Sequence, residues 1–336
     1  MDKVRLGRTN IVVNKNGFGA LPIQRITIEA ARQIMQKAYD NEIDFIDTAR
    51  GYTDSEEKIG LTFSSKQRKN LFIATKTGAQ NSEVFWDHLE QSLTQLRTDY
   101  IDIYQFHNPP FVPKPGGEDG LYDAMLEAKK QGKIKFIGIT NHRLNLAKEA
   151  VLSGLYDTLQ FPLSYLASEQ DIEIVGLCET HDVGFIAMKG MSGGLISDSA
   201  LAYAYLNEFK NVLPIWGIQK MSELDEFLSY QKHAPALTGE RLQKIKDEKK
   251  QLSGNFCRAC GYCLPCPVAI DIPQAARMSL LLRRAVVAHF LTDDAQKKMA
   301  RIDKCIHCGN CIKKCPYGLN VPELLKENYE DYKTFL

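Results

Sequence analysis

The sequence predicts an α/β fold. A closed (β/α)8 TIM barrel occupies residues 1–235, a helical connector 236–254, and a small helical domain 255–336. Three observations carry this reading. Short apolar runs alternate with helix-like stretches, eight of each, over the first 230 residues, and parallel strands need such helical crossovers. No G-x-G-x-x-G follows a strand-like run, although the alternative, a doubly wound open sheet, ordinarily carries one at its first turn. Eight of the nine cysteines lie between Cys257 and Cys315, which sets the C-terminal part apart.

Composition narrows the function classes. A chain of 336 residues is long enough for two domains. Lys plus Arg is 42 and Asp plus Glu is 41, without the basic excess that a nucleic-acid or anionic-membrane binder needs. The start, MDKVRLGRTN, has no apolar stretch after its charges. No run reaches the roughly 18 uninterrupted apolar residues of a spanning helix; the best candidate, near 280–291, is broken by Arg283, Arg284 and His289. The expectation is a soluble cytoplasmic protein that binds neither nucleic acid nor membrane.

Taken in order, 4–6 and 11–13 flank the turn Gly7-Arg8-Thr9-Asn10 and read as a hairpin. Strand-like runs follow at 17–20, 43–46, 71–75, 101–105, 134–139, 158–161, 184–187 and 212–216. Helix-like stretches fall at 28–39, 55–63, 82–96, 120–131, 144–153, 169–181, 199–209 and 222–230. Residues 233–254 are polar, with Lys244, Lys246, Lys249 and Lys250 beside Asp247 and Glu248, and read as a solvated helix. The stretch 272–291 is helical in pattern. Cys178, among Ile174, Val175 and Leu177, reads as a core residue.

The cysteine spacing is specific. Cys305-x-x-Cys308-x-x-Cys311-x-x-x-Cys315-Pro316 has the bacterial ferredoxin spacing. Cys257-x-x-Cys260-x-x-Cys263-x-x-Cys266-Pro267 is one residue shorter before its last Cys. Three thiolates at i, i+3 and i+6 reach three irons of one cubane, and the Cys before the proline reaches the other cluster. One 4Fe–4S cluster is thus assigned to Cys257, Cys260, Cys263 and Cys315. The other is assigned to Cys305, Cys308, Cys311 and Cys266. Two zinc sites of four cysteines each are the alternative, but zinc knuckles rarely set four Cys at three-residue steps before a Pro. With a helical stretch between the clusters, this part resembles the helical dicluster ferredoxin-like domains rather than the small β-rich ferredoxin. Residues 240–336 carry seventeen Lys and Arg against eleven Asp and Glu. Two bound cubanes take about four charges from that excess of six.

In (β/α)8 proteins the reactive groups gather at the C-terminal ends of the strands. There stand Asp47 with Tyr52, then Lys76, His107, Asn141 and Gln160. An ammonium at Lys76 favours the phenolate of Tyr52 and makes it a better acid, Asp47 holds Lys76 charged, and His107 orients a carbonyl. Each residue alone is more often structural; four on three consecutive strand ends make a proton-delivery set.

With these residues in view, the sequence resembles the aldo/keto reductase family over roughly 3–230. The carrying motifs are Leu6-Gly7-Arg8-Thr9, Phe45-Ile46-Asp47-Thr48-Ala49 with Tyr52 and Ser55-Glu56, Ala74-Thr75-Lys76, Asp102 to His107, Gly132-Lys133, Ile137-Gly138-Ile139 with Asn141, and Gly193-Gly194-Leu195. The resemblance implies hydride transfer between a nicotinamide cofactor and a small-molecule carbonyl, with Tyr52 as acid/base and Asp47, Lys76 and His107 in support. It implies that Asn141 and Gln160 hold the carboxamide. Lys189, Gly193 and Gly194 after the seventh barrel strand, and Gly217, Gln219 and Lys220 after the eighth, take the pyrophosphate and adenosine end. Many relatives carry an aromatic residue where this chain has Met188, and an Arg where it has Gln219. Lys220 is the candidate substitute, so NADP(H) and NAD(H) both stay open. The whole resembles the subgroup with an appended ferredoxin-like domain.

The expected function is an NAD(P)H-dependent oxidoreductase whose clusters pass electrons to a ferredoxin-type carrier. The alternative is a redox-sensing or regulatory module that binds NAD(P) and uses the clusters structurally. The Pro- and Gly-rich loop 108–119 is expected to cap the substrate pocket.

Overall fold

The computed structural model describes residues 2–252, 256–284 and 287–336. At the N-terminus β1 (Lys3–Arg5) and β2 (Val12–Asn14) pair antiparallel as a hairpin. Gly7 in its turn has φ +51, and a Cβ there would collide with the backbone of Asp182, Val183 and Gly184, so glycine is required.

The chain then alternates. It runs β3 (Gly17–Gly19), α1 (Ile28–Asp40), β4 (Phe45–Asp47), α2 (Ser55–Thr62) with the short α3 (Ser65–Arg68), β5 (Phe72–Thr77), α4 (Ser82–Leu96), β6 (Ile101–His107) and α5 (Leu121–Lys130). It continues β7 (Ile134–Thr140), α6 (Leu144–Leu152), β8 (Thr158–Pro162), α7 (Glu169–Thr180), β9 (Gly184–Met188), α8 (Ser199–Asn207), β10 (Val212–Gly217) and α9 (Met221–Lys232). Strands β3 to β10 are parallel and close into a barrel, β10 pairing with both β9 and β3. The eightfold barrel is the fold the alternation predicts.

Local chemistry sets the elements. Thr27 caps α1 by accepting from Ala30 N, and α1 buries Ala31, Ile34, Met35 and Ala38 along one face. Ser168 and Asp171 form a capping box at the start of α7. The strands reach further than their apolar runs. Ladder partners carry β4 to Asp47, β5 to Thr77 and β6 to His107. Asp47, Lys76 and His107 therefore stand on the strands themselves. A hydrophobic run ends where the barrel lining turns polar, whereas the ladder continues.

Strand alternation builds the lining in two layers. Phe45, Ala74, Ile103, Ile186 and Leu213 form one apolar cluster with Val4, Leu6, Ile11 and Val13 of the hairpin. Two residues further along their strands stand Asp47, Lys76 and Gln105, all buried. The apolar floor thus keeps water from the polar layer above it.

By its contacts the chain divides into two units. One holds residues up to Gly190 with Ala200–Leu237, the other Met191–Ser199 with Thr238–Leu336. The second unit is helical: α10 (Gly239–Gln251), α11 (Ile272–Ala275), α12 (Met278–Arg284), α13 (Asp293–Met299), α14 (Asn310–Lys314) and α15 (Val321–Lys333). Its core joins Ile270, Ile272, Met278, Leu282, Met299, Val321, Leu325 and Tyr332, with cysteines packed against it. The expected helix 272–291 is broken. Asn328 of α15 accepts from Ser279 N at 2.9 Å and starts α12 as a new helix, and Val287–Phe290 is a 3-10 turn. Such a cap comes from a residue 49 positions away and leaves no local pattern. Arg277 binds Gly193 O at 2.6 Å, and Lys244 pairs with Asp198, so the Met191–Ser199 segment is held inside this unit. Among the described residues no helix is long and apolar enough to cross a membrane.

Candidate active site

Asp47 and Lys76 form the centre. Lys76 Nζ lies 2.7 Å from both carboxylate oxygens of Asp47 and donates to Thr48 O at 2.5 Å. Both side chains are almost wholly buried. Burial pushes Lys76 below the ordinary amine range and Asp47 above the ordinary carboxylate range, and the charge of each partner opposes the shift of the other.

Tyr52 sits in the loop after β4. Hydrogen bonds from Thr48 N to Ala74 O and Arg50 N to Lys76 O stitch that loop to β5, and Tyr52 N to Ala49 O closes a turn within the loop. Below it, buried Glu56 accepts from Thr75 and pairs with Arg50. Tyr52 is half-buried. Its ring centre is 5.2 Å from Lys76 Nζ and 5.8 Å from the His107 ring, edge on. Burial, with the Lys76 charge beside it, pushes His107 down to about 3, so its imidazole is neutral. The four residues expected to work together are together.

Asn141 and Gln160 are buried and already bonded. Asn141 donates to Pro109 O at 3.0 Å and accepts from Arg143 N at 2.8 Å. Gln160 donates to Asp47 Oδ1 at 3.2 Å and accepts from Gln105 at 3.0 Å. Among the described residues each amide has one further N–H and one further lone pair, the complement that a carboxamide needs. Two residues of this region escaped the sequence reading. Gln105 links Asp47 and Gln160; its place two residues before His107 was the available signal. Arg143, right after Asn141 and His142, has a buried Nη1 without a hydrogen-bond partner among the described residues, which suits an anionic ligand. The loop 108–119 is pinned by Tyr156, whose hydroxyl donates to Pro113 O.

The remaining expected cofactor residues are spread out. Lys189 follows β9 with φ +61. Gly193 and Gly194 lie in the 3-10 turn Ser192–Gly194, which groups with the second unit. Gly217 ends β10. The backbone amides of Gln219 and Lys220 both donate to the Glu223 carboxylate, leaving the Lys220 side chain as the cationic group there.

Comparison with known proteins decides the family. The aldo/keto reductase family matches residues 15–201, more than half of the chain. The chain belongs to the aldo/keto reductase family. This aldo/keto reductase is an oxidoreductase, and a 4Fe-4S dicluster domain matches its residues 256–320. It is 28% identical over 218 residues to the uncharacterized oxidoreductase YqkF of Bacillus subtilis, covering 61% of this chain and 69% of that protein. It is 37% identical over 169 residues to methylglyoxal reductase DkgB of Escherichia coli O157:H7, covering 47% and 60%. An aldo-keto reductase from Klebsiella pneumoniae, solved in complex with NADPH, superposes with a TM-score of 0.64. That match covers 73% of this chain and 94% of the other at 19% identity, which is likeness of fold.

In this reductase the cysteines fall into two groups. Cys263, Cys266, Cys305, Cys308 and Cys311 all line one cavity. Cys257 has Cys260 and Cys315 as its charge neighbours, and Cys263 has Cys257, Cys260 and Cys311. The two loops share a backbone pattern. Ala259 and His307 are left-handed at φ +50 and +52, and Gly261 and Gly309 follow at +83 and +73. Non-glycine residues held there are strained. Ala259 N donates to Cys257 Sγ at 3.4 Å. This donor set, all sulfur and arranged on two curled loops, has the chemistry of iron–sulfur ligation. Cys178 is buried in the barrel unit, away from both groups in the chain.

Proposed function

We propose that this aldo/keto reductase reduces a small carbonyl compound with NADPH or NADH, and that its second domain holds two 4Fe–4S clusters that exchange electrons with a one-electron carrier. The observation that carries the reading is the Tyr52–Lys76–Asp47–His107 arrangement. The dinucleotide supplies a hydride to the carbonyl carbon. Tyr52 donates its proton to the carbonyl oxygen, and the Lys76 ammonium stabilises the phenolate that remains. Asp47 keeps Lys76 charged and fixed in place. Neutral His107 donates a hydrogen bond that orients the carbonyl. Asn141 and Gln160 hold the nicotinamide carboxamide through their spare N–H and lone pair. Lys189, Gly193 and Gly194 hold the pyrophosphate, and Gly217, Gln219 and Lys220 the adenosine end. Cys257, Cys260, Cys263 and Cys315 ligate one cluster; Cys266, Cys305, Cys308 and Cys311 ligate the other. Each cluster exchanges single electrons.

Relatives named as methylglyoxal reductases support a small aldehyde or ketone as first substrate to try. The deciding experiment is Tyr52→Phe, assayed with methylglyoxal and both dinucleotides. Turnover should fall by roughly 10²-fold or more, as for a lost general acid, with dinucleotide affinity by fluorescence quenching unchanged. Parent-like turnover in this variant removes Tyr52 from the role.

A further inference from the structure

The two cysteine groups differ in what covers them. Over the first, the Arg258 guanidinium stacks on Phe256 at 5.0 Å and on Tyr317 at 4.4 Å, and Cys263 is buried. Over the second no such stacked cover is present among the described residues. Cys308 is exposed, and Ile306 and Ile312 are 62% and 42% exposed. Each is the chain neighbour of a cysteine lining the cavity, Ile306 of Cys305 and Ile312 of Cys311. Leu264, next to Cys263, is a third exposed apolar side chain. Exposed apolar side chains beside cysteines that line the cavity mark a contact surface.

Charge gives the partner's character. Residues 304–320 contain Lys304, Lys313 and Lys314 and no carboxylate. Residues 256–270 contain Arg258 and again no carboxylate. All three lysines are exposed, and they make no ion pair among the described residues, whereas nearby Lys298 and Lys333 pair with Asp294 and Glu330. A bound cubane with four thiolates contributes about −2 from beneath the surface; Arg301 and the three lysines, less Asp303, exceed that from outside.

We propose that the face around Cys308, with Ile306 and Ile312 at its centre and Lys304, Lys313 and Lys314 at its rim, docks an acidic one-electron carrier protein. The inference rests on the reading that Cys266, Cys305, Cys308 and Cys311 hold a cluster. A complex that forms and parts with every electron suits a small apolar centre and a charged rim, since steering sets its rate and a large area would slow release. Each encounter moves one electron. The cluster is oxidised by one and the carrier reduced by one, or the reverse, and no bond changes.

The test uses holoprotein reduced with dithionite and freed of the excess. It is mixed anaerobically with one of two high-potential one-electron acceptors: plastocyanin as the acidic probe, or cytochrome c as the basic one. Cluster absorbance reports reoxidation. At low ionic strength the acidic acceptor should react about tenfold faster or more, and about 0.5 M salt should abolish that advantage. Lys313→Glu with Lys314→Glu should slow the acidic acceptor about tenfold and quicken the basic one, as charge steering requires. Iron, sulfide and the spin-resonance spectrum of the reduced cluster should not change. Equal rates for the two acceptors, or a reversed variant as fast as the parent, overturn the proposal. If charge reversal costs the cluster, Lys313→Gln with Lys314→Gln and the salt series on the parent decide the same question. A parent without iron overturns the cluster reading, and the docking face with it, before any acceptor is added.

Discussion

Gln160 Nε2 donates to Asp47 Oδ1 at 3.2 Å, across a barrel that separates the two by 113 residues in the chain. The carboxylate that grips Lys76 is thereby held from a second direction, and Gln105 sits against both partners. Replacing Gln160 by Leu leaves the Gln105 amide only its longer 3.5 Å bond to Asp47 and leaves Asp47 short of a donor. The variant should lose about 1–3 kcal/mol, the usual result of unpairing a buried polar group. Urea unfolding measures it. A Leu variant as stable as the parent would show that the bond contributes nothing.

Lys76→Met removes the only formal positive charge hydrogen-bonded to Asp47 among the described residues. The carboxylate is then buried without compensation, which costs about 3–5 kcal/mol. Asp47→Asn added to Lys76→Met should recover part of the loss, because the uncompensated charge goes with it. Denaturant unfolding of the two singles and the double gives the coupling. Strictly additive losses would mean that the pair does not act as a unit.

His107 should shape the acid limb of stability. Its folded pKa, about 3, lies below the ordinary value of 6.5. Below 6.5 the unfolded chain takes up a proton that the folded protein refuses, so stability falls as the pH drops from 6.5 towards 3 and is flat for this group above 6.5. His107→Gln should flatten that part of the curve, measured as unfolding free energy at fixed pH steps. The rate should show no inflection from His107 between pH 5 and 8.

Cys308→Ser should lower bound iron from about eight to about four per chain after anaerobic reconstitution, since one cubane loses a ligand and the other keeps all four. Cys178→Ser is the control and should leave iron unchanged. Zinc in place of iron in the parent, with no visible absorbance band, would defeat the cluster assignment itself.

Much of this was open to reading in the chain alone, for reasons that are local. Alternation of strand and helix sets a parallel barrel because no short connection can join parallel strands. Three-residue cysteine steps set a sulfur donor set, because the curl of one loop decides where its thiols point. Asp47, Lys76 and His107 are legible because each lies at the end of a strand, and Tyr52 because it sits in the loop that follows one; strand ends share one rim of a closed barrel. Tertiary structure alone decided the rest. Gln160 and Gln105 meet Asp47 only because the closed barrel turns the inner faces of distant strands towards one centre. The helix expected over 272–291 breaks because Asn328 caps Ser279 from another helix. Arg277 reaches Gly193 from 84 residues away, and the bare face around Cys308 is set by the cover that neighbouring elements do not provide. The physical divide is range. Spacing and propensity act over a few residues and determine elements and local ligand sets. Hydrogen bonds and exposure depend on which elements the closed chain brings side by side.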